Sequence, residues 1–399
     1  MRSARSWRRS LAAAATTVAL LAATACGSQS AGRGGDAPLR ILYVSGITGL
    51  LAPASKAVQR GMTAAIESVN ASGGVRGRKL ELTIEDNQSD ATRGLTLIQQ
   101  ALTGDQPPDL IVPGVSSSEC LAVAPLLTRQ KQVGIGVSST SELNDPQRFP
   151  YYFSQAASQK APLEAVAAHV KDAGGRTLAL VVPNDGLGES ISDNLDATLG
   201  QAGITYSVER FAADGVDYSA AFAAAVSKNP DFIFADASAA QVPYLLESRI
   251  KAGAGRIPLI GGTSIAVQPV LDLAKGTDQL QNFQLVLGPG SVHKPPAEAS
   301  EAFKEFYDKV SAQGGLEVPL NTYGYGWDVI QTFAAAARAT DGELTQEALK
   351  DALEHLGQVP QLVGFTRLYS TTTHQVSPAA GDITIATPVE KNGGQYVVK

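Results

Sequence analysis

The sequence predicts an α/β fold of two Rossmann-like lobes, each built around a parallel β-sheet with helices on both faces. Strand and helix signals alternate from residue 40 to residue 262, and the alternation falls into two blocks separated at residues 149–158. The chain has 399 residues, of which 44% are hydrophobic and 18% charged, so it can bury two cores. Because parallel strands need long crossover connections, this alternation favours parallel sheets over hairpins.

The first block contains four predicted strands and three predicted helices. The strands are short apolar runs at residues 40–46, 79–87, 109–115 and 133–139. The helices lie between them at residues 53–69, 90–102 and 117–129.

The second block and the C-terminal third continue the series. Strands separated by helix-sized stretches are predicted at residues 177–185, 204–211, 231–238 and 257–262. Helices follow at residues 295–313, 322–339 and 345–356, and residues 362–399 are predicted to form several short strands. The aromatic residues Tyr323, Tyr325 and Trp327 are interpreted as core or hinge packing, with stacking on a ligand as the alternative.

Residues 1–25 have the pattern of an export signal. A basic head precedes an apolar run at residues 11–23 that is too short for an ordinary transmembrane helix. Ala23-Thr24-Ala25-Cys26 resembles the lipobox of bacterial lipoproteins, which implies cleavage before Cys26 and lipidation of its sulfur. The alternative is a plain secretory signal cleaved near Ala25. Residues 26–38 are predicted to be a flexible tether, so we expect a lipid anchor on the outer face of the bacterial cell membrane.

Composition and motifs exclude several classes of function. A net charge of −6 argues against a nucleic-acid binder, which needs a basic face. The two cysteines and four histidines are not at ligand spacing, so no metal site is expected. The sequence has neither a phosphate-binding G-x-x-x-x-G-K-[ST] loop nor a G-x-S-x-G nucleophile elbow. We therefore expect neither an enzyme nor a cofactor.

Polar residues follow the predicted strands where each strand ends, and these positions are the candidate ligand site. The first block contributes hydroxyl groups from Thr48, Ser116, Ser117, Ser118, Ser138, Ser139 and Thr140. The second block contributes Asp185, Asp236, Ser238 and Thr263. Because ligands of parallel sheets bind beyond the carboxyl ends of the strands, a cleft between the lobes is the expected site. The alternative is that these residues cap helices.

From about residue 39 to residue 399, the chain resembles type I periplasmic solute-binding proteins of the leucine/isoleucine/valine-binding class, the receptors of branched-chain amino acid ABC transporters. The family pattern is met by Thr48-Gly49, Gly61, Ala65, Asn70, Gly73-Gly74, Gly77 and residues 86–90. The resemblance implies two lobes joined by three hinge crossovers, with residues 39–156 plus 290–362 in one and 157–289 plus 363–399 in the other. It also implies a monomer that closes on a small solute and presents it to the permease subunits of the transporter.

Two first-block segments match the family's ligand contacts. On the resemblance, the hydroxyl that grips the ligand carboxylate falls on Ser117. The small-residue segment that contacts the carboxylate and the amino group falls on Ser138, Ser139 and Thr140. These positions coincide with the hydroxyl clusters chosen from the strand ends.

The second block departs from the amino-acid-binding pattern. An aromatic residue of the family falls on Leu187, another falls near Ser238, and the acid that pairs with the ligand's amino group falls on Thr263. We therefore expect a small polar solute with a carboxylate or amide end, whose donor group is received by Asp236 or Asp185. The alternatives are an amide- or urea-type sensor of the same fold and a membrane-tethered enzyme.

Overall fold

The computed structural model describes residues 37–266, 278–293, 300–357, 359, 362, 369–376, 378, 383–392 and 395–398. The predicted signal peptide, Cys26 and most of the predicted tether lie outside these residues. None of the helices in the described part of the chain has the length and apolar character needed to cross a lipid bilayer.

The first sheet has five parallel strands in the order β2-β1-β3-β4-β5. The strands are β1 (Leu39–Ser45), β2 (Leu80–Asp86), β3 (Leu110–Val112), β4 (Gly134–Gly136) and β5 (Tyr152–Ser154). Their connections include α1 (Ala52–Ala71), α2 (Ala91–Thr103) and α3 (Ser117–Gln130). The parallel arrangement predicted for this block is confirmed, whereas β5 lies in the segment that was interpreted as the boundary between the blocks.

The second sheet has six strands in the order β11-β10-β9-β8-β6-β7, and only β11 is antiparallel to its neighbour. The strands are β6 (Thr177–Pro183), β7 (Thr205–Phe211), β8 (Phe232–Ala235), β9 (Leu259–Gly261), β10 (Phe283–Leu287) and β11 (Thr384–Ala386). The helices of this block are α4 (Lys160–Asp172), α5 (Gly186–Ser192), α6 (Ser219–Ser227) and α7 (Val242–Lys251). The strand β10 was not predicted.

Three later helices return to the first sheet. They are α8 (Glu301–Ala312), α9 (Leu320–Ala339) and α10 (Gln346–His355), and buried residues of all three belong to the core that covers β1. A two-stranded antiparallel pair of β12 (Pro388–Asn392) and β13 (Gln395–Val398) follows. We call the five-stranded sheet with α1–α3 and α8–α10 the first lobe, and the six-stranded sheet with α4–α7 the second lobe.

The C-terminal segment at residues 369–376 contacts the first lobe. Tyr369 and Val376 are buried in the first-lobe core, and Gln375 forms a parallel bridge with Ser154 of β5. Residues 369–376 therefore pack with the first lobe, although the boundary predicted after residue 362 assigned them to the second.

Several strands end earlier than predicted, because the chain turns away at the carboxyl end of the strand. The strand predicted at residues 109–115 ends at Val112, and Gly114 adopts a φ of +101° in the turn that follows. A side chain there would be strained and would also collide with Glu119, so glycine permits the turn. The residues beyond such strand ends are the ones that surround the site.

Candidate functional site

A cavity of about 390 Å³ lies at the carboxyl ends of the strands of both lobes. This volume falls in the range of small-molecule sites. Among the residues chosen from the sequence, those that line the cavity are Ser116, Ser117, Ser118, Ser138, Ser139, Asp185, Leu187, Ser238 and Thr263. The structure therefore brings nine of these positions together around one space.

The first turn of α3 presents hydrogen-bond donors to the cavity. Ser116 is the N-cap, and its hydroxyl accepts a hydrogen bond from the Glu119 N–H at 3.3 Å. The Glu119 carboxylate accepts in return from the Ser116 N–H at 3.1 Å and from the Asn87 amide at 2.7 Å. This capping box fixes the turn and leaves the N–H groups of Ser117 and Ser118, which have no partner within a helix, for a ligand.

The loop after β4 supports the same turn. The Ser138 hydroxyl donates to the Ser117 Oγ at 3.2 Å, and the Ser138 side chain is buried. Ser139 follows and lines the cavity. The two hydroxyl clusters predicted from separate strand ends are thus joined by a direct hydrogen bond.

On the second lobe, Asp185 is the N-cap of α5. Its Oδ1 accepts from the N–H groups of Leu187 at 3.0 Å and Gly188 at 3.3 Å. No donor among the described residues reaches its Oδ2. One carboxylate oxygen of Asp185 is therefore used by the helix, and the other is available to a ligand.

The structure does not bring Thr48 and Thr140 to the cavity. Thr48 is exposed, and its hydroxyl donates to the Asp86 carboxylate at 2.6 Å. Thr140 is buried, and its hydroxyl accepts from the Glu142 N–H as the N-cap of a short 3-10 turn. Both residues fit the alternative that strand-end hydroxyls support local turns.

Asp236 lies behind the cavity wall rather than in it. Its side chain is 0% exposed, and its Oδ1 accepts from the Ala237 N–H at 3.0 Å, while Oδ2 has no hydrogen-bond partner among the described residues. A Cβ added to Gly262 would lie 2.3 Å from the Asp236 carboxyl, so this group packs against the turn that carries Thr263. Burial raises the pKa of Asp236 to about 7.

We expect the Asp236→Asn variant to lose the part of the pH dependence of stability that Asp236 causes. In the wild type, the unfolded carboxyl ionises near pH 4 but the folded one only near pH 7, so stability falls across this window as pH rises. Urea denaturation at about pH 5 and about pH 8 should show the variant gaining roughly 2–3 kcal/mol relative to the wild type between the two, since the folded carboxyl stays protonated over about two of these pH units at about 1.4 kcal/mol each. If the unfolding free energies of the variant and the wild type differed by the same amount at both pH values, Asp236 would not be the group that titrates. An unchanged ligand affinity of the variant would exclude direct contact between Asp236 and the ligand.

Helix α9 supplies cavity residues that were not among those chosen from the sequence, and for Tyr325 the alternative of ligand contact fits its position better than core packing alone. Asn321, Thr322 and Tyr325 line the cavity, whereas Tyr323 and Trp327 are buried in the first-lobe core. The Asn321 Oδ1 is buried without a hydrogen-bond partner among the described residues. Burial and the nearby Asp328 raise the pKa of Tyr325 to about 12, which keeps its phenol neutral. Residues 321 and 325 are four positions apart, so they lie on one face of the helix. Helical periodicity could therefore have predicted that they face the same side.

The cavity lining combines neutral polar groups with aliphatic walls. Glu119 and Asp185 are the charged residues among the described lining, and both serve as acceptors at helix N-termini. Apolar side chains include Leu51, Val137, Val286 and Val318. The described residues hold no cluster of three or more His, Cys, Asp or Glu side chains placed to bind a metal ion. The arrangement suits hydrogen bonding to a polar group and packing against an apolar body.

Comparison with known proteins identifies the family. The family model described as periplasmic binding protein matches residues 38–393. The chain belongs to this family. The resemblance indicated by the sequence is thereby confirmed, and the two-sheet arrangement is the type I fold of periplasmic binding proteins. No curated protein matches the sequence at a significant level.

Solved structures share the fold of this periplasmic binding protein at low sequence identity. A type 1 periplasmic binding protein from Bordetella pertussis Tohama I is 18% identical with a TM-score of 0.79, over 91% of this chain and 99% of that one. The branched-chain amino acid transporter substrate-binding protein LivJ from Streptococcus pneumoniae, in complex with isoleucine, is 18% identical with a TM-score of 0.73, over 90% and 97%. A solute-binding protein of an ABC transporter from Rhodopseudomonas palustris BisB5, in complex with 3,4-dihydroxybenzoic acid, is 18% identical with a TM-score of 0.73, over 90% and 96%.

Proposed function

We propose that this periplasmic binding protein is the extracytoplasmic receptor of an ABC importer and captures a small polar solute with a carboxylate or amide end. The observation that carries the proposal is the cavity at the strand ends of both lobes. Ser117 and Ser118, whose N–H groups have no partner within the helix, line the same space as Asp185, whose Oδ2 accepts no hydrogen bond from the described residues. Donors for a carboxylate or carbonyl and acceptors for an N–H or O–H thus surround one ligand-sized volume.

The first lobe is suited to hold the acidic or carbonyl end of the solute. Free N–H groups at the start of a 14-residue helix and the Ser117 hydroxyl attract a negative or partially negative oxygen. Isoleucine in LivJ and 3,4-dihydroxybenzoic acid in the Rhodopseudomonas protein each contain a carboxyl group, which supports this orientation by analogy of fold. The remainder of the solute would pack against the aliphatic walls.

The second lobe is less suited to an α-ammonium group. Thr263 lines the cavity at the position where the family carries an acid, and Asp185 already uses one oxygen for its helix cap. A neutral N–H or O–H donor needs only a single acceptor, whereas an ammonium group has three donors to satisfy. The solute class that we propose therefore includes deaminated acids, amides and hydroxylated acids ahead of aliphatic amino acids.

A lipid anchor would place the receptor beside its permease. Lipidation of Cys26 after removal of residues 1–25 would hold the receptor at the outer face of the membrane, close to the permease subunits. The crossovers that link the lobes would fall between β5 and α4, between β10 and α8, and between residue 376 and β11.

A thermal-shift series over head groups tests the solute class. We expect 4-methylpentanoate, 4-methylpentanamide or 3,4-dihydroxybenzoate to raise the melting temperature more than leucine does at equal concentration. A solute at one hundred times its Kd adds about 2.7 kcal/mol to the stability of the folded state, which is readily measured. A melting temperature unmoved by all four compounds, or moved most by leucine, would contradict the proposed class.

The Ser117→Ala variant tests the site with the compound that gives the largest shift. We expect its affinity to fall about 10-fold, because the ligand loses a hydroxyl partner and Ser138 loses the acceptor that orients it. Thr128→Ala is the matched control, since the Thr128 hydroxyl lies on the same helix and bonds the Ala124 carbonyl at 3.1 Å, outside the cavity lining. Isothermal titration calorimetry measures both, and equal affinities for the two variants would remove Ser117 from the site.

A further inference from the structure

One hydrogen bond joins the two lobes beside the cavity. The Ser190 hydroxyl, on α5 of the second lobe, donates to the backbone carbonyl of Ser139, on the first lobe, at 2.9 Å. The Ser190 side chain is 0% exposed, and Ser139 lines the cavity. The bond therefore links a helix of one lobe directly to the cavity wall of the other.

A second contact lies next to this bond. Gly186 begins α5 and packs against the first turn of α3, where a Cβ added to Gly186 would lie 3.2 Å from the Ser117 Cβ and 3.9 Å from the Ser118 nitrogen. The first of these distances is closer than carbon atoms normally approach, so the absence of a side chain at residue 186 allows the two helix starts to meet. The two contacts place α5 against both hydroxyl clusters of the first lobe.

We propose that Ser190 is a positioning residue whose hydrogen bond to Ser139 holds the two lobes together around the bound solute. This inference rests on the proposed function. A bond between lobes forms only when they are close, so it adds to the stability of the closed arrangement and not to that of either lobe alone. It also holds the Ser139 carbonyl in place at the edge of the cavity.

The Ser190 hydroxyl has a second possible acceptor within its own helix, so its bond to the first lobe can break and form again. A serine in a helix can donate to the carbonyl four residues earlier, which for Ser190 is that of Gly186. When the lobes separate, the Ser190 hydroxyl can turn to this carbonyl and remain satisfied. Removal of the hydroxyl should therefore weaken the closed state selectively and leave the fold of the second lobe intact.

Helix α5 offers a matched control for this residue. The Ser192 hydroxyl donates to the Gly188 carbonyl at 2.7 Å and accepts from the Arg210 guanidinium at 2.9 Å, both within the second lobe, and it makes no hydrogen bond to the described residues of the first lobe. Ser190→Ala and Ser192→Ala thus remove the same group from the same helix, and only the first removes the contact between lobes.

The experiment compares the two variants by two readouts in the full-length protein. With 4-methylpentanoate as the probe, stopped-flow dissociation should be about 3- to 10-fold faster for Ser190→Ala than for Ser192→Ala, the range expected for loss of one neutral hydrogen bond. Without any solute, hydrogen exchange should be faster in Ser190→Ala at the peptides that contain Ser139 and Ser190. Thermal melts should show that both ligand-free variants remain folded.

Equal dissociation rates and equal hydrogen exchange in the two variants would contradict the proposed role of Ser190. If 4-methylpentanoate does not bind, the proposed solute class fails. Hydrogen exchange alone then tests whether the Ser190 bond holds the lobes together. Gly186→Ala provides a second route should Ser190→Ala fail to fold, because its methyl group would press the starts of α3 and α5 apart and should produce the same changes.

Discussion

The Gly61→Ala variant is expected to lose about 3 kcal/mol or more of unfolding free energy, because its methyl group would occupy the backbone of another helix. Gly61 on α1 faces α9 so closely that an added Cβ would lie 1.8 Å from the Tyr323 carbonyl oxygen. The contact is reciprocal, since a Cβ on Gly326 would lie 2.0 Å from the Val58 carbonyl oxygen. Backbone atoms cannot rotate away as a side chain can, so the two helices would have to separate through the first-lobe core.

Urea denaturation followed by circular dichroism measures this loss. Gly200→Ala is the matched control, because Gly200 is exposed in a helical segment and an added Cβ there would come no closer than 3.6 Å to atoms beyond its adjacent residues and local helix backbone. Alanine should be neutral or slightly stabilising at that position, since it has the higher helix propensity. A loss below about 1 kcal/mol for Gly61→Ala would mean that the helices are not packed this closely.

The Arg249→Met variant is expected to lose about 3 kcal/mol or more of unfolding free energy, because it removes the buried donor that four backbone carbonyls share. Arg249 on α7 is 0% exposed, and no carboxylate among the described residues pairs with it. Its guanidinium donates at 2.8–3.2 Å to the carbonyl oxygens of Gly255, Ile257, Gln279 and Gln281. Burial lowers the pKa of Arg249 to about 10, so it remains charged at neutral pH and stabilises these turns electrostatically.

A neighbouring arginine separates this effect from a general response to loss of charge. Arg256 is exposed, and Arg256→Met should change the unfolding free energy by no more than about 0.5 kcal/mol. Because the carbonyl groups around Arg249 come from the turns that precede β9 and β10, its loss should also speed hydrogen exchange in those strands. Equal stabilities of the two variants would show that the carbonyl groups find other partners.

The sequence predicted the parts of the site that depend on local order. Ser116–Ser118 and Ser138–Ser139 were chosen because they follow strands, and parallel strands bring their carboxyl ends to one edge. The capping box of α3 is also local, since Ser116 and Glu119 are three residues apart. The same reasoning selected Thr48 and Thr140, because a hydroxyl that caps a turn and one that faces a cleft occupy similar positions in sequence.

The sequence by itself determined the family, the alternation of strands and helices, and the hydroxyl-rich strand ends, since each of these depends on residues that are neighbours in the chain. Only the tertiary structure decided that Asp236 lies behind the cavity wall, that Asn321 and Tyr325 join the lining, and that Ser190 bonds Ser139. These features depend on distances between residues that lie far apart in the chain, and burial in a packed interior then changes the chemistry of each group.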